Sequence, residues 1–373
     1  MTSGSGLAQH DFRGRRARTL VALVAAGTDA ILLGPGADLR YLTGFEHTHA
    51  AERLLAMVLR RDGSATWIVP SMNVAQVSPH LGGDEIHVWS DAQTYLPGLR
   101  SAVEGLNALA FDDELRSAFL LDLLAEAPSV SVRRSGPIMR TLRMRKDAAE
   151  LAWLRSAAAT VDGAIPRAIR LCGDSRAELD VEADLRNLLR ERAPDQSVAF
   201  SIVASGPNAA LPHHETGSRR MQTGDVVILD YGTRAEGYYS DITVTCSIGE
   251  PSDPEVRRVY RTVWEAQQAA LQAIRPGVPC SEIDAAARAV IERAGYGERF
   301  LHRTGHGLGL QVHEPPNLVA GYDTVLEPGM TFSVEPGIYL EGRFGVRLEV
   351  IACVGADGVE LINDPSSPEL PIC

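Results

Sequence analysis

The sequence predicts an α+β chain of two domains, a smaller N-terminal α/β domain over 1–138 and a larger domain over 139–373. Three observations predict it. The 373 residues exceed the roughly 100–200 of a typical single core, and a hydrophobic content of 45% can fill two. Up to about residue 138, short apolar strands (31–33, 55–59, 66–69, 86–88 and 108–111) alternate with helical stretches. Around 133–147 the run RRSGPIMRTLRMRKD crowds basic residues about one Gly and one Pro, which reads as a solvated junction between domains.

At the N-terminus, Arg13, Arg15, Arg16 and Arg18 precede the apolar stretch 20–26, superficially like a signal peptide. That stretch stops at Gly27 and runs directly into strand-like residues 30–33, so it reads as the first helix–strand unit of a folded domain. Beyond the junction, Leu151, Leu154, Ala158 and Val161 mark a long helix over 148–171 with a kink at Pro166, and a second helix follows at 176–192. Ser252-Asp253-Pro254-Glu255 offers a cap, a first-turn proline and an early acid for an amphipathic helix ended by Pro276-Gly277. Ser281 caps a further helix to 294, closed by Gly295, and the remaining C-terminal half is strand-like.

Composition narrows the partners. The balance of 48 acidic against 36 basic residues, a formal charge of −12, repels phosphate backbones and anionic lipid, arguing against nucleic acid and membrane surfaces. No segment approaches the ~20 apolar residues of a membrane span. Five cysteines, an odd number without a CxxC pair, suggest neither a disulfide framework nor a thiolate zinc site, and a reducing cytoplasm fits them best.

The chemistry lies in the C-terminal half. VVILDYGTRAEGYYSDITVT reads as a hairpin. A turn centred between Ala235 and Glu236 puts Asp230 directly opposite Asp241, with Cβ atoms about 4.5–5.5 Å apart. Two like charges there destabilise a sheet unless a cation lies between them. MTFSVEPGIYLEGRFGVRLEVIACV repeats the arrangement, with Glu335 opposite Glu349 about a turn centred on Gly342, although Pro336-Gly337 can add a bulge. Between the hairpins, LHRTGHGLGLQVHEPP places His302, His306 and His313 among three glycines. It lacks a Walker lysine and the dinucleotide pattern, so nucleotide binding is rejected in favour of a histidine ligand. Four carboxylates and one imidazole balance two divalent ions, and such donors favour Mn²⁺, Fe²⁺ or Co²⁺ over thiolate-type metals, with Mn²⁺ first.

These residues resemble the creatinase-like, or pita-bread, metallopeptidases (M24), which include methionine aminopeptidase, aminopeptidase P and prolidase. Asp, ten residues, Asp, then GHG, VEPG and VRxE occur in family order. The resemblance implies a C-terminal pita-bread domain with a smaller creatinase-like N-terminal domain. It puts Asp230, Asp241, His306, Glu335 and Glu349 on the five ligand positions for two divalent ions, Mn²⁺ first, with Co²⁺, Fe²⁺ or Zn²⁺ as alternatives. LPHH matches the family's substrate-side histidine at His213, and HRTGHG and VHE match active-site histidines at His302 and His313. Arg347 stands where the family keeps an arginine that orients ligand carboxylates. LRYLTGF at 39–45 looks like the extra domain of the Xaa-Pro branch.

The implied activity is cleavage of Xaa-Pro dipeptides, with proline at P1′, by a hydroxide bridging the two metals; the implied assembly is a homodimer. Catalysis falls to His213, His313 and Glu335, with His302 on the S1′ side. Arg53 is a candidate clamp for the substrate carboxylate. Aminopeptidase P and a hydrolase of small amides are the alternatives; a metal-free creatinase and a binding module fit an intact ligand set less well. One departure stands out: Val350 replaces the Asp that commonly follows the last ligand glutamate in Xaa-Pro enzymes.

Overall fold

The computed structural model describes residues 10–47 and 52–373, so part of the segment around Arg53 (48–51) lies outside the described residues. The chain divides into two compact units that meet in sequence at Arg143 and Met144.

In the N-terminal unit, the strands are β1 (Ala30–Leu33), β2 (Ala56–Arg60), β3 (Ala65–Pro70), β4 (Glu85–Trp89), β5 (Ala108–Phe111) and β6 (Ser131–Arg134). The helices are α1 (Phe12–Ala25), α2 (Ala37–Thr43), α3 (Val74–Val77), α4 (Leu96–Val103), α5 (Ser117–Glu126) and α6 (Gly136–Met144). The strands form one mixed sheet in the order β4-β3-β2-β1-β5-β6. β1 is apolar and buried at all four positions, as a central strand covered on both faces must be. Residues 20–25 of that stretch belong to α1, Ala26 caps it, and Gly27 follows with a left-handed backbone, φ 60°. No helix among the described residues is long and apolar enough to cross a membrane.

The basic run 133–147 is solvated only in part, with Arg133, Arg134 and Arg145 exposed. It completes β6 and forms α6, whose Ile138, Met139 and Arg143 are buried. Arg143 donates to Asp38 at 2.7 Å, and Lys146 donates to Glu314 at 2.9 Å with both side chains almost fully enclosed. Carboxylates distant in sequence make burial of these charges tolerable.

The C-terminal unit has helices α7 (Ala148–Asp162), α8 (Ile165–Leu171), α9 (Glu178–Arg192), α10 (Val256–Ala273) and α11 (Cys280–Arg293). Its strands are β7 (Ser197–Ser205), β8 (Val226–Ala235), β9 (Tyr238–Tyr239), β10 (Ile242–Ser247), β11 (Gly305–Gly307), β12 (Glu314–Leu318), β13 (Thr331–Val334), β14 (Gly337–Leu340), β15 (Phe344–Arg347), β16 (Val350–Val354) and β17 (Val359–Leu361). They form antiparallel sheets β10-β8-β7, β12-β11-β13-β16-β17 and β14-β15, with β9 paired to β8. One apolar core joins α10 and α11 to β13, β15 and β16.

Three helix boundaries differ from expectation. The segment 148–171 is two helices rather than one kinked helix: it breaks at Gly163-Ala164, and Pro166 occupies the first turn of α8, where a missing N–H costs nothing. Ser252 and Ser281 do not cap their helices. Asp253 accepts from the Glu255 amide, while the Ser281 hydroxyl donates to Asp323. A true capping box stands at α7, where Asp147 and Glu150 exchange bonds of 2.9 Å.

Lys146 and Glu314 connect the start of this unit to the first residue of β12, next to His313. Lys146→Ala removes the buried cation that faces the Glu314 carboxylate, so it is expected to destabilise the protein by about 3–5 kcal/mol, read as a fall in the urea midpoint with an unchanged slope.

Candidate metal centre

The first hairpin turns one residue later than the sequence suggests. Glu236 (φ 47°) and Gly237 (φ 89°) are both left-handed, as a two-residue hairpin turn requires, and Ala235 pairs with Tyr238. Asp230 therefore faces Thr243 rather than Asp241. A shift of two residues preserves the alternation of faces, so Asp241 becomes the diagonal neighbour of Asp230. Gly232 allows this close approach: a Cβ there would lie 2.1 Å from the Ser240 carbonyl oxygen.

The second hairpin keeps the expected register. Val334 pairs with Val350 and Gly337 with Arg347, so Glu335 and Glu349 fall opposite each other in the gap between two ladders. Freed from that ladder, their amides bond elsewhere: Glu335 N–H to the Thr304 carbonyl at 2.8 Å, Glu349 N–H to that of Thr243 at 3.1 Å. The first bond fixes the second hairpin to the strand carrying His306, and the second fixes it to the strand following Asp241.

The five side chains meet in a cavity of about 610 Å³, also lined by Phe200, Ile202, Pro212, His213, His302, Arg303, Val312, His313 and Arg347. Ligand atoms of Asp230, Asp241 and Glu349 lie within 4.8 Å of one another, as do those of His306, Glu335 and Glu349. His306 Nε2 stands 3.1 Å from Glu335 Oε1 and 3.6 Å from Asp241 Oδ2. Its Nδ1 lies 3.1 Å from the Gly307 carbonyl, which fixes the proton there in the neutral ring and turns the Nε2 lone pair to the carboxylates.

This geometry fits divalent cations. Asp230 Oδ1 and Glu349 Oε1 are buried without any hydrogen-bond partner. Burial, then repulsion from Asp230, raises Asp241 well above the carboxylate range; burial, then Asp241 and Glu335, does the same to Glu349. Glu335 is the exception: although burial opposes ionisation, the His306 hydrogen bond and charge hold it down to about 2. Oxygen donors with one imidazole suit hard to borderline divalent ions.

Around these groups lies a support layer that sequence reasoning only partly reached. Arg347 donates to Asp230 Oδ2 at 2.7 Å, to Tyr339 at 3.1 Å and to Thr243 at 3.2 Å. The Thr243 hydroxyl donates to Glu349 Oε2 at 2.7 Å, and Ser333 to Glu335 Oε1 at 3.1 Å. Thr243, Ser333 and Tyr339 were unassigned; the hydroxyl two residues from Asp241 and from Glu335 is the signal that could have found two of them. His302 Nε2 meets the Tyr339 hydroxyl at 2.8 Å, joining that ring to Arg347 and Asp230.

His213 and His313 are exposed on the cavity wall, and the His313 ring meets His306 edge to face, with centroids 4.2 Å apart. The neighbouring His214 has a structural role, 3.0 Å from the buried Glu178. Arg303, also unassigned from sequence, lines the cavity and donates to the uncharged Asn317 at 2.7 Å. Arg53 belongs to the N-terminal unit, where Asp91 grips its guanidinium through two bonds of 2.8 Å and Glu52 adds a third at 3.0 Å. Val350 is buried in the apolar core, where an aspartate would need a partner of its own.

Two family models match the chain: metallopeptidase family M24 over residues 152–356, and the creatinase/prolidase N-terminal domain over 15–145. The chain belongs to metallopeptidase family M24. Its fold is accordingly the pita-bread domain preceded by a creatinase-type domain, and it is a hydrolase of a divalent-metal family. It is 42% identical over 358 residues to the probable dipeptidase PepE of Mycobacterium tuberculosis, covering 93% of this chain and 94% of the relative. Among solved structures it resembles dipeptidase PepE from Mycobacterium ulcerans (39% identity, TM-score 0.91, 97% of each chain). It also resembles a prolidase from Thermococcus sibiricus (33% identity, TM-score 0.93, covering 98% of this chain and all of that one).

The support layer of this M24 site is testable apart from turnover. Thr243→Val keeps the shape but removes the donor to Glu349, so affinity for a divalent ion, measured by competition with a chelating dye, is expected to fall by about 10-fold or more while the fold is retained.

Proposed function

We propose that the chain is an Xaa-Pro dipeptidase acting on small peptides with proline at P1′, with two divalent ions, manganese first, held by Asp230, Asp241, His306, Glu335 and Glu349. The observation that carries this reading is the convergence of those five side chains, with two buried unpartnered carboxylate oxygens, in one cavity. The dipeptidase and prolidase names of similar proteins supply the substrate class. The reading takes the boundary between domains near 138, and takes the enzyme as a cytoplasmic homodimer, as the family resemblance implies. The charge of −12 supports a small peptide rather than a nucleic acid as the partner.

When bound, the ions supply Lewis-acid polarisation of a carbonyl and acidification of water. The residues do the rest. Glu335, held ionised at neutral pH, takes the proton of the attacking water and delivers it to the departing proline nitrogen. Partial desolvation against the cavity wall, with His306 and Arg303 nearby, brings His313 down to about 4, so at pH 7 it presents a neutral N–H to the developing oxyanion. His213, which also lines the cavity, donates to the peptide. His302, bonded to Tyr339, shapes the S1′ side, and Phe200 and Ile202 offer an apolar surface to the proline ring.

The substrate carboxylate has two candidate anchors. Arg303 is favoured because it lines the cavity and its hydrogen-bond partner is the uncharged Asn317, whereas Arg53 is already held by two acids. Arg303→Ala is expected to raise KM for Ala-Pro more than it lowers kcat; an Arg53→Ala variant that abolishes the preference for dipeptides over tripeptides would restore Arg53 to the role.

The deciding experiment is hydrolysis of Ala-Pro, Met-Pro, Ala-Pro-Ala, Met-Ala-Ser and creatine by metal-stripped protein with and without Mn²⁺. Manganese-dependent cleavage of the dipeptides alone is expected. Cleavage of Ala-Pro-Ala moves the activity to aminopeptidase P, and failure on every peptide overturns the peptidase reading. His313→Ala is expected to lower kcat about 10²–10³-fold with metal content unchanged; loss of metal makes it a ligand instead.

A further inference from the structure

Three of the five cysteines, far apart in sequence, come together on the side of β10 away from the metal centre. Cys172 ends α8, Cys246 lies in β10, and Cys373 belongs to a segment running beside β10. Ser247 N–H donates to the Pro371 carbonyl and Cys373 N–H to that of Ser247, both at 2.9 Å, which fixes Cys373 against the strand. The three sulfur atoms lie within 4.8 Å of one another, and Cys373 Sγ is 3.6 Å from Cys246 Sγ. Cys172 and Cys246 are buried, whereas Cys373 is exposed and opens the cluster to solvent.

We infer that Cys172, Cys246 and Cys373 form a second metal site, a three-thiolate site for a soft d¹⁰ cation of the zinc and cadmium class. A zinc–sulfur bond of about 2.3 Å gives sulfur atoms about 3.8 Å apart in a tetrahedron, close to the 3.6 Å between Cys246 and Cys373. The exposed edge beside Cys373 leaves a fourth position for water. Binding a divalent cation displaces the thiol protons to solvent, and nothing is oxidised. Sulfur donors select against the hard ions suited to the oxygen-rich centre, so the two sites sort different metals.

The test titrates Cd²⁺ into the reduced full chain after loading with Mn²⁺ and follows the thiolate-to-cadmium charge-transfer band, which carboxylate and imidazole ligands do not give. One equivalent is expected to saturate it. Cys246→Ser and Cys373→Ser are expected to lose the band, while Cys353→Ser keeps it. Because Cys373 is exposed, its substitution leaves the core intact and peptide hydrolysis unchanged. Absence of the band in the wild type, or its survival in Cys373→Ser, overturns the inference. So does a count of fewer than five free thiols in metal-free, unreduced protein that rises on reduction, since a disulfide then occupies the site.

Discussion

Four carboxylates gathered around the His306 imidazole, two of them buried and two nearly so, are the constraint on which the C-terminal unit depends. Each alone would resist ionisation in that environment, and together they repel, as the upward displacement of Asp241 and Glu349 shows. Arg347 offsets one charge at Asp230 and cannot balance the rest. The fold therefore holds a charge deficit that cations resolve, and it must hold it rigidly, because hairpins free to relax would move the carboxylates apart. Backbone bonds supply the rigidity. Glu335 is fixed to Thr304, Glu349 to Thr243, and the His306 amide to the Ser333 hydroxyl, so the ligand segments constrain one another.

The same logic explains the support layer. A carboxylate with one oxygen free for a cation needs the other held, and Arg347, Thr243 and Ser333 hold the other oxygens of Asp230 and Glu349 and one oxygen of Glu335. Tyr339 extends this network to His302, so the ring proposed for the substrate side is oriented by groups that also orient Asp230 and its neighbours. One hydrogen-bond network thus holds both His302 and Asp230.

What the sequence revealed follows from how local each signal is. The second hairpin was legible to the residue, since its tight turn fixes the register of both ladders. The first was misplaced by one turn position, because Ala235-Glu236 and Glu236-Gly237 both read as polar turns and only the backbone decides between them. Asp230 and Asp241 still share a face, since the displacement was even. The N-terminal strands up to β5 were legible as apolar runs, whereas β6 was hidden by its arginines, which belong to an edge strand. Pairings such as Lys146 with Glu314 and Arg143 with Asp38 were not legible, because each joins residues more than a hundred positions apart.

β10 shows how one strand can serve two chemistries. Its side chains alternate, so Thr243 and Thr245 turn to the glutamate hairpin, where they bond Glu349 and the Arg347 carbonyl. Cys246, one position on, belongs to the opposite face and reaches Cys373. Oxygen donors and their hydroxyl supports thus occupy one side of the strand and sulfur donors the other, separated by the strand's own backbone. Neither set can lend a ligand to the other without breaking the β8–β10 ladder. A soft ion at the sulfur side would leave the oxygen side to harder ions, and the alternation of a single strand would suffice to keep the two apart.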